Sequence, residues 1–204
     1  MTRSDLRTSI RDYLYESTAD LWLDAQLNRW IDQEMRAMPR KGVYSEEIYS
    51  TTQVVDQLDY ALPTGTYKTE LVEINTGTTD KPYWIEAKGW DNYGGALWFK
   101  SRPTYAYPMR VHVRKSFTIL TDDVTATDVP DPETEVLIFG VAKRAYKAIL
   151  GYFVDSRNWD TIAKPDGVSL NQISNLYQQA KLDYDDSIKT YRRYPRPRSI
   201  DMTG

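Results

Sequence analysis

His112 is the only histidine in the chain, and there is no cysteine. These two counts bound the chemistry the sequence can hold. A histidine-assisted nucleophile would have to use His112, which alternates with Arg110 and Arg114 along what reads as the polar side of a strand. Neighbouring cations disfavour an imidazolium, so His112 reads as a surface histidine rather than a poised acid or base. A zinc centre in its usual forms, a disulfide framework and thiolate chemistry are all excluded. The Gly-x-x-x-x-Gly-Lys loop, the Gly-x-Gly-x-x-Gly turn and the Gly-x-Ser-x-Gly elbow are absent. Asp183, Asp185 and Asp186 fall on a predicted helix, where Asp185 points about 100° from Asp186 and the set reads as a solvated face. Asp122-Asp123 reads as a loop. The sequence therefore predicts no catalytic residue, no metal site and no cofactor.

Two features point to binding instead. Between residues 83 and 107 stand eight aromatics: Tyr83, Trp84, Trp90, Tyr93, Trp98, Phe99, Tyr105 and Tyr107. Glycines at 89, 94 and 95 suggest loops that carry some of them outward. A protein–protein surface, a sugar-stacking platform and a core built from large rings all fit such a cluster. The second feature is the C-terminus, where five cations and no acid lie between Lys189 and Arg198. Pro195 and Pro197 stop a helix and stiffen the chain beyond it into an extended segment, reaching ~30 Å over its ten residues. Arginine forks, with Tyr191 and Tyr194 as anchors, suit a partner that offers carboxylates.

The elements that must position these features can be read from hydrophobic period. Residues 3–15 predict a helix with Leu6, Ile10 and Leu14 on one face, followed by a connection whose Leu21, Trp22 and Leu23 pack inward. Asp24 is expected to cap a second helix carrying Leu27, Trp30, Ile31, Met35 and Met38, ended by Pro39 and Gly42. From 43 to 120 the period becomes that of strands. Tyr60 to Tyr67 reads as strand, turn, strand. Met109 to Ile119 alternates apolar and polar, with Lys115 the exception. Shorter strands are expected near 68–75, 82–88 and 96–101, with turns at Asn75-Thr76-Gly77 and Asn92-Tyr93-Gly94-Gly95.

After a polar linker at 121–131, Asp131-Pro132 should open a long helix with Ile138, Val141, Ala142, Ala145, Ile149 and Phe153 on one face. A loop with turns at Asn158-Trp159 and Pro165-Asp166-Gly167 leads to a last helix. Val168, Ser169 and Gln172 read as a staple and capping box before the stripe Ile173, Tyr177, Ala180, Tyr184, Ile188, Tyr191. The two late helices should pack antiparallel. The fold class is α+β: a helical bundle made of N-terminal and C-terminal helix pairs, with an inserted small antiparallel β lobe and an extended C-terminal arm. The boundaries are 1–42, 43–120, 121–191 and 192–204. The chain has 204 residues and a net charge of −3, which argues against a general nucleic-acid binder. It shows no signal peptide and no apolar run long enough to span a membrane, and is expected to act without export.

The opening, with Trp22 and Asp24-Ala25-Gln26-Leu27-Asn28-Arg29-Trp30-Ile31, resembles that of the head–tail adaptor (connector) proteins of tailed bacteriophages. So does the order of parts, including the inserted β region with Tyr60-Ala61-Leu62-Pro63-Thr64-Gly65. This resemblance implies a structural protein of the virion neck, assembled in the host cytoplasm as a ring of twelve copies under the portal. Such a ring extends the DNA channel, passes DNA without sequence-specific contact and gives the tail its platform. The resemblance places portal docking on the arm, at Tyr191, Arg192, Arg193, Tyr194, Arg196, Arg198, Ile200 and Met202. It turns the β lobe, with Trp84, Trp90, Tyr93, Trp98, Tyr105 and Tyr107, toward neighbouring subunits or tail proteins. A tail-completion or minor tail protein, and a carbohydrate-binding module, are the alternatives.

Overall fold

The chain is α+β. The computed structural model describes residues 1–16, 21–155 and 170–193, leaving aside the side chains of 152–155. Among these are four helices and two antiparallel sheets, divided between two compact units. A helical unit takes Met1–Val43 and Phe117–Arg192, and a β unit takes Tyr44–Ser116 with Arg193. No described helix is long and apolar enough to cross a membrane.

Helix α1, Arg3–Tyr13, begins at a capping box that hydrophobic period does not reveal. Thr2 Oγ1 accepts the Asp5 N–H at 3.1 Å and the Asp5 carboxylate accepts the Thr2 N–H at 2.8 Å. Leu6 and Ile10 are buried as expected. Helix α2, Asp24–Ala37, buries Leu27, Ile31 and Met35, and Gly42, with φ 92°, closes the 3-10 turn that comes after it. Between the two helices only the inward turn of Trp22 is as expected. Asp24 caps nothing: Leu23 holds the N-cap position, and the Asp24 carboxylate sits 2.7 Å from Arg11 and 3.6 Å from Arg7. Leu21 and Leu23 are exposed, because Glu16 takes both the Leu21 and Trp22 N–H groups and turns only Trp22 inward, against Trp30.

Helix α3 is Thr134–Asp155, and Asp131–Glu133 before it is a 3-10 turn. Asp131 therefore does not cap the long helix: prolines on both sides of it break the run of N–H groups that a first α turn needs. The buried face of α3 is wider than the predicted stripe. Val136, Leu137, Val141 and Ala145 join the core with α1 and α2, while Ala142 and Tyr146 join Ile173 and Ala180 of α4, Leu170–Tyr191. Ile138 and Ile149 are only half-buried. Along α4 Ile173, Ala180 and Tyr184 are buried and Tyr177, Ile188 and Tyr191 partly so. The pair runs antiparallel: Tyr184 lies beside Gly140, and seven residues on the Tyr191 hydroxyl donates to Glu135 at 3.2 Å. The predicted cap at Val168 and Ser169, the loop turns before it and the Phe153 side chain lie outside the described residues.

A charge is locked inside this unit. Glu34 is fully buried. Its carboxylate meets Lys41 at 2.6 Å and Arg144 at 2.9 Å, and accepts the Tyr184 hydroxyl. Lys143 lies 3.3 Å from the centre of the Tyr184 ring. Burial pulls the Lys143 ammonium down to about 8. Gly140 makes room for the carboxylate: a Cβ there would stand 2.7 Å from Glu34 Cγ and 2.9 Å from the Tyr184 ring.

In the β unit, a four-stranded sheet has the order β1-β7-β3-β4, with β1 Ser45–Thr52, β3 Thr66–Asn75, β4 Trp84–Glu86 and β7 Pro108–Lys115. A three-stranded sheet has the order β2-β6-β5, with β2 Asp59–Ala61, β5 Trp90–Tyr93 and β6 Ala96–Phe99. Met109, Val111 and Val113 of β7 pack with Val72, Tyr60, Leu97 and Phe99, so both sheets close on one core. The turn at Pro63–Thr66 passes the chain from one sheet to the other. Gly94 and Gly95, at φ 61° and 81°, join β5 to β6 in the tight hairpin their spacing predicts. Strand β7 ends four residues short of the predicted Ile119. Beyond it Phe117 and Leu120 enter the helical core, and the Thr118 N–H goes to Asp128 instead of a neighbouring strand.

Candidate functional site

The sequence-predicted chemistry is accounted for by structure-building contacts. On β7, Arg110 stacks over Trp84 with its guanidinium 3.9 Å from the ring centre, and Arg114 stacks over the buried ring of Tyr44 at 4.2 Å. Arg114 Nε also lies 2.8 Å from Glu70, close enough for charge attraction though not aligned as a hydrogen bond. His112, half-buried between these arginines, bonds to Glu73 at 2.7 Å. The cations flanking His112 are thus matched by rings and by acids of β3, which corrects the picture of a histidine facing unscreened positive charge. Asp183 accepts the Tyr13 hydroxyl and the Gln179 amide, so it ties α1 to α4, while Asp185 and Asp186 face solvent. Asp122-Asp123 is more than a loop. Asp122 folds the turn by taking the Val124 and Thr125 N–H groups, and Asp123 clasps Arg7 with both oxygens, at 2.6 and 2.9 Å. The Arg7 contact holds the Asp123 carboxyl below the usual carboxylate range. Among the described residues no three acids or histidines are grouped to hold a metal ion.

The aromatic cluster divides. Phe99 is core, and Trp90 is half-buried with its indole N–H donated to the Ala87 carbonyl at 2.9 Å. Trp84 is half-buried under Arg110, and Tyr107 under Tyr105 at a ring separation of 5.6 Å. The outward rings are Tyr93, 78% exposed at the β5–β6 hairpin, Trp98, 41% exposed on β6, Tyr105 at 64% and Tyr83 at 66%. Three of the six predicted interface aromatics, Tyr93, Trp98 and Tyr105, are therefore displayed. Val54 and Val55 join them, missed by sequence reasoning: the Tyr60 hydroxyl accepts the Val54 N–H at 2.8 Å and pins their turn, leaving both side chains about half exposed. Two β-branched residues in a row before Asp56-Gln57 were the available signal.

At the root of the arm, Tyr191 ends α4 and holds Glu135. The Arg192 side chain runs beside Gly42, where a Cβ would meet its Cγ at 2.7 Å. Arg193 stands 6.0 Å from the Tyr44 ring centre, and its carbonyl accepts the Tyr44 hydroxyl at 3.5 Å. Burial pushes the Tyr44 phenol up. The first two arm arginines thus lie against the chain's own residues. Tyr194, Arg196, Arg198, Ile200 and Met202 lie outside the described residues.

No protein-family model matches the chain, and no curated protein matches it. One solved structure it resembles is described as the neck of an empty GTA particle computed with C6 symmetry. That likeness covers 85% of this chain and 86% of the other, at 10% identity and a TM-score of 0.33.

Proposed function

We propose that the chain is a structural subunit of the neck of a tailed-phage-like particle: an adaptor that assembles as a ring, twelve copies in the fullest form of the reading, beneath the portal. The observation that supports this best is the order of parts. The segments before and after the β unit, Met1–Val43 and Phe117–Arg192, build one helical unit, and the β unit inserted between them displays Tyr93, Trp98 and Tyr105. Displayed rings suit contacts with neighbouring subunits or tail proteins, where aromatics supply hot spots. A heterologous interface that closes into a ring needs two sticky faces per subunit, and the β insert offers one of them. The other contact in this reading is the C-terminal arm, docked on the portal. A mildly acidic subunit lets DNA slide through, since tight binding requires phosphates to be neutralised.

Electron microscopy of the purified chain mixed with its portal tests the proposal. Rings seated on the portal are the expected result. Absence of both rings and portal binding under every condition, or turnover of a substrate by the monomer, overturns it. The arm is tested by ending the chain after Arg193, a cut that spares the contacts of Arg192 and Arg193. The expected result is an unchanged melting temperature with portal docking lost.

A further inference from the structure

The outer face of the three-stranded sheet has a distinct chemistry. Strand β6 turns Leu97 and Phe99 into the core and Trp98 out, 41% exposed. Register sets Asp59 of β2 and Asp91 of β5 directly opposite Trp98, one on each side. Both carboxylates are exposed, and Asp91 accepts only the neighbouring Asn92 N–H, at 2.8 Å. The result is a row of carboxylate, indole, carboxylate, with the two acids ~10 Å apart at ordinary strand spacing. Such a row suits a guanidinium, whose plane stacks on the ring while its fork pairs with an acid.

The chain's own C-terminus carries the complement. Tyr194-Pro195-Arg196-Pro197-Arg198 has two arginines separated by a proline and no acid. In an extended proline-stiffened backbone those arginines stand ~6 Å apart, and their long side chains then span carboxylates ~10 Å apart. Proline-rich segments dock on exposed aromatic rings in this conformation. A sugar would use the same ring, but a stacking platform gains from a second exposed indole, and Trp90 is half-buried with its N–H committed.

We infer that the Asp59–Trp98–Asp91 row of one copy receives the Tyr194–Arg198 segment of a second copy, so that each subunit holds its neighbour's arm. Ile200 and Met202, past that segment, are not used in this contact. The inference concerns contact between copies and stands apart from the neck reading.

A fluorescein-labelled peptide of residues 191–204, titrated into the full chain and followed by anisotropy, tests it. Sedimentation of the full chain covers the case in which neighbouring arms already fill the row. The expected result is saturable peptide binding or self-association, either one weakened by salt. Trp98→Ala, and Asp59→Asn with Asp91→Asn, should each weaken it about tenfold or more, with Tyr83→Ala as an unaffected control. A peptide carrying Arg196→Glu and Arg198→Glu should not bind the natural chain but should bind one carrying Asp59→Arg and Asp91→Arg. Neither peptide binding nor association, or binding indifferent to the Trp98 and aspartate changes, overturns the inference. So does a glycan array in which an oligosaccharide, and not the peptide, depends on Trp98. A chain that binds the peptide yet never joins a portal defeats only the neck reading; one seated in the neck that ignores the peptide defeats only this one.

Discussion

The helical unit hides one charge, and the β unit displays several rings. Glu34 sits fully buried, ringed by Lys41, Arg144 and Tyr184, whereas Trp98, a larger and more apolar side chain, is left two-fifths exposed between two aspartates. The usual partition is inverted at these two residues, and the inversions differ in kind. A buried carboxylate is tolerable only with every partner in place, so it ties α2, α3 and α4 to one arrangement. An exposed indole costs its own unit little and becomes valuable only when another molecule covers it. One inversion holds a unit to its shape; the other, in the reading proposed above, waits for a partner.

The largest blow to this contrast is Glu34→Ala. Removing the acid leaves Lys41 and Arg144 facing each other without their counter-ion, and urea denaturation should register a loss of about 3–5 kcal/mol. A loss below about 1 kcal/mol would mean that the cations relax into solvent and that the lock is ornamental. In the β unit Phe99→Ala should cost about 3 kcal/mol. Gly140→Ala should cost about 2 kcal/mol through overpacking, despite alanine's better helix propensity. Combined with Glu34→Ala the same change should cost less, because the crowded side chain is gone; strict additivity would break the link between the two sites.

The pH profile sharpens the comparison further. The folded chain releases the Lys143 proton at about 8, below the ordinary lysine range. Between those values the unfolded chain holds the extra proton, so the helical unit gains stability as pH rises. Burial raises the phenols of Tyr13 and Tyr146, the latter to about 12, so above about pH 10 the unfolded chain ionises first and stability falls. Thermal melts should show both limbs, with Lys143→Met flattening the rise and Tyr146→Phe weakening the fall. The smallest expected effect is Trp98→Ser, about 1 kcal/mol or less by the same denaturation assay. A larger loss would mean that Trp98 is structural, and the contrast between the units would fail.

Much of the α+β plan was legible in the sequence, because period survives without tertiary knowledge. Leu27, Ile31 and Met35 recur at helical spacing, and Met109, Val111 and Val113 alternate. Strand β1 was not foreseen: its half-buried side is Ser45, Glu47, Tyr49 and Thr51, which gives no apolar alternation. The lock was visible in hindsight. Glu34 falls within the apolar stripe of α2, and Gly140 stands inside α3, where glycine is unfavourable, but neither signal names its partner. Asp24 and Asp131 failed as caps because arginines claimed one and prolines flanked the other. The aromatics could not be sorted by type. Trp90 and Trp98 differ only in which side of a short strand they occupy, and register decided that.

The interrupted layout of the helical unit bears on how the protein is made. Val43 and Phe117 belong to the same core, so α1 and α2 leave the ribosome well before the helices that cover their apolar stripes. At roughly 5–20 residues per second, that interval lasts on the order of seconds. The β insert can complete its own core meanwhile, since every strand of it has by then emerged. Synthesis thus completes the β unit before the helical unit, and a nascent chain passes through a stage in which the apolar stripes of α1 and α2 are still uncovered.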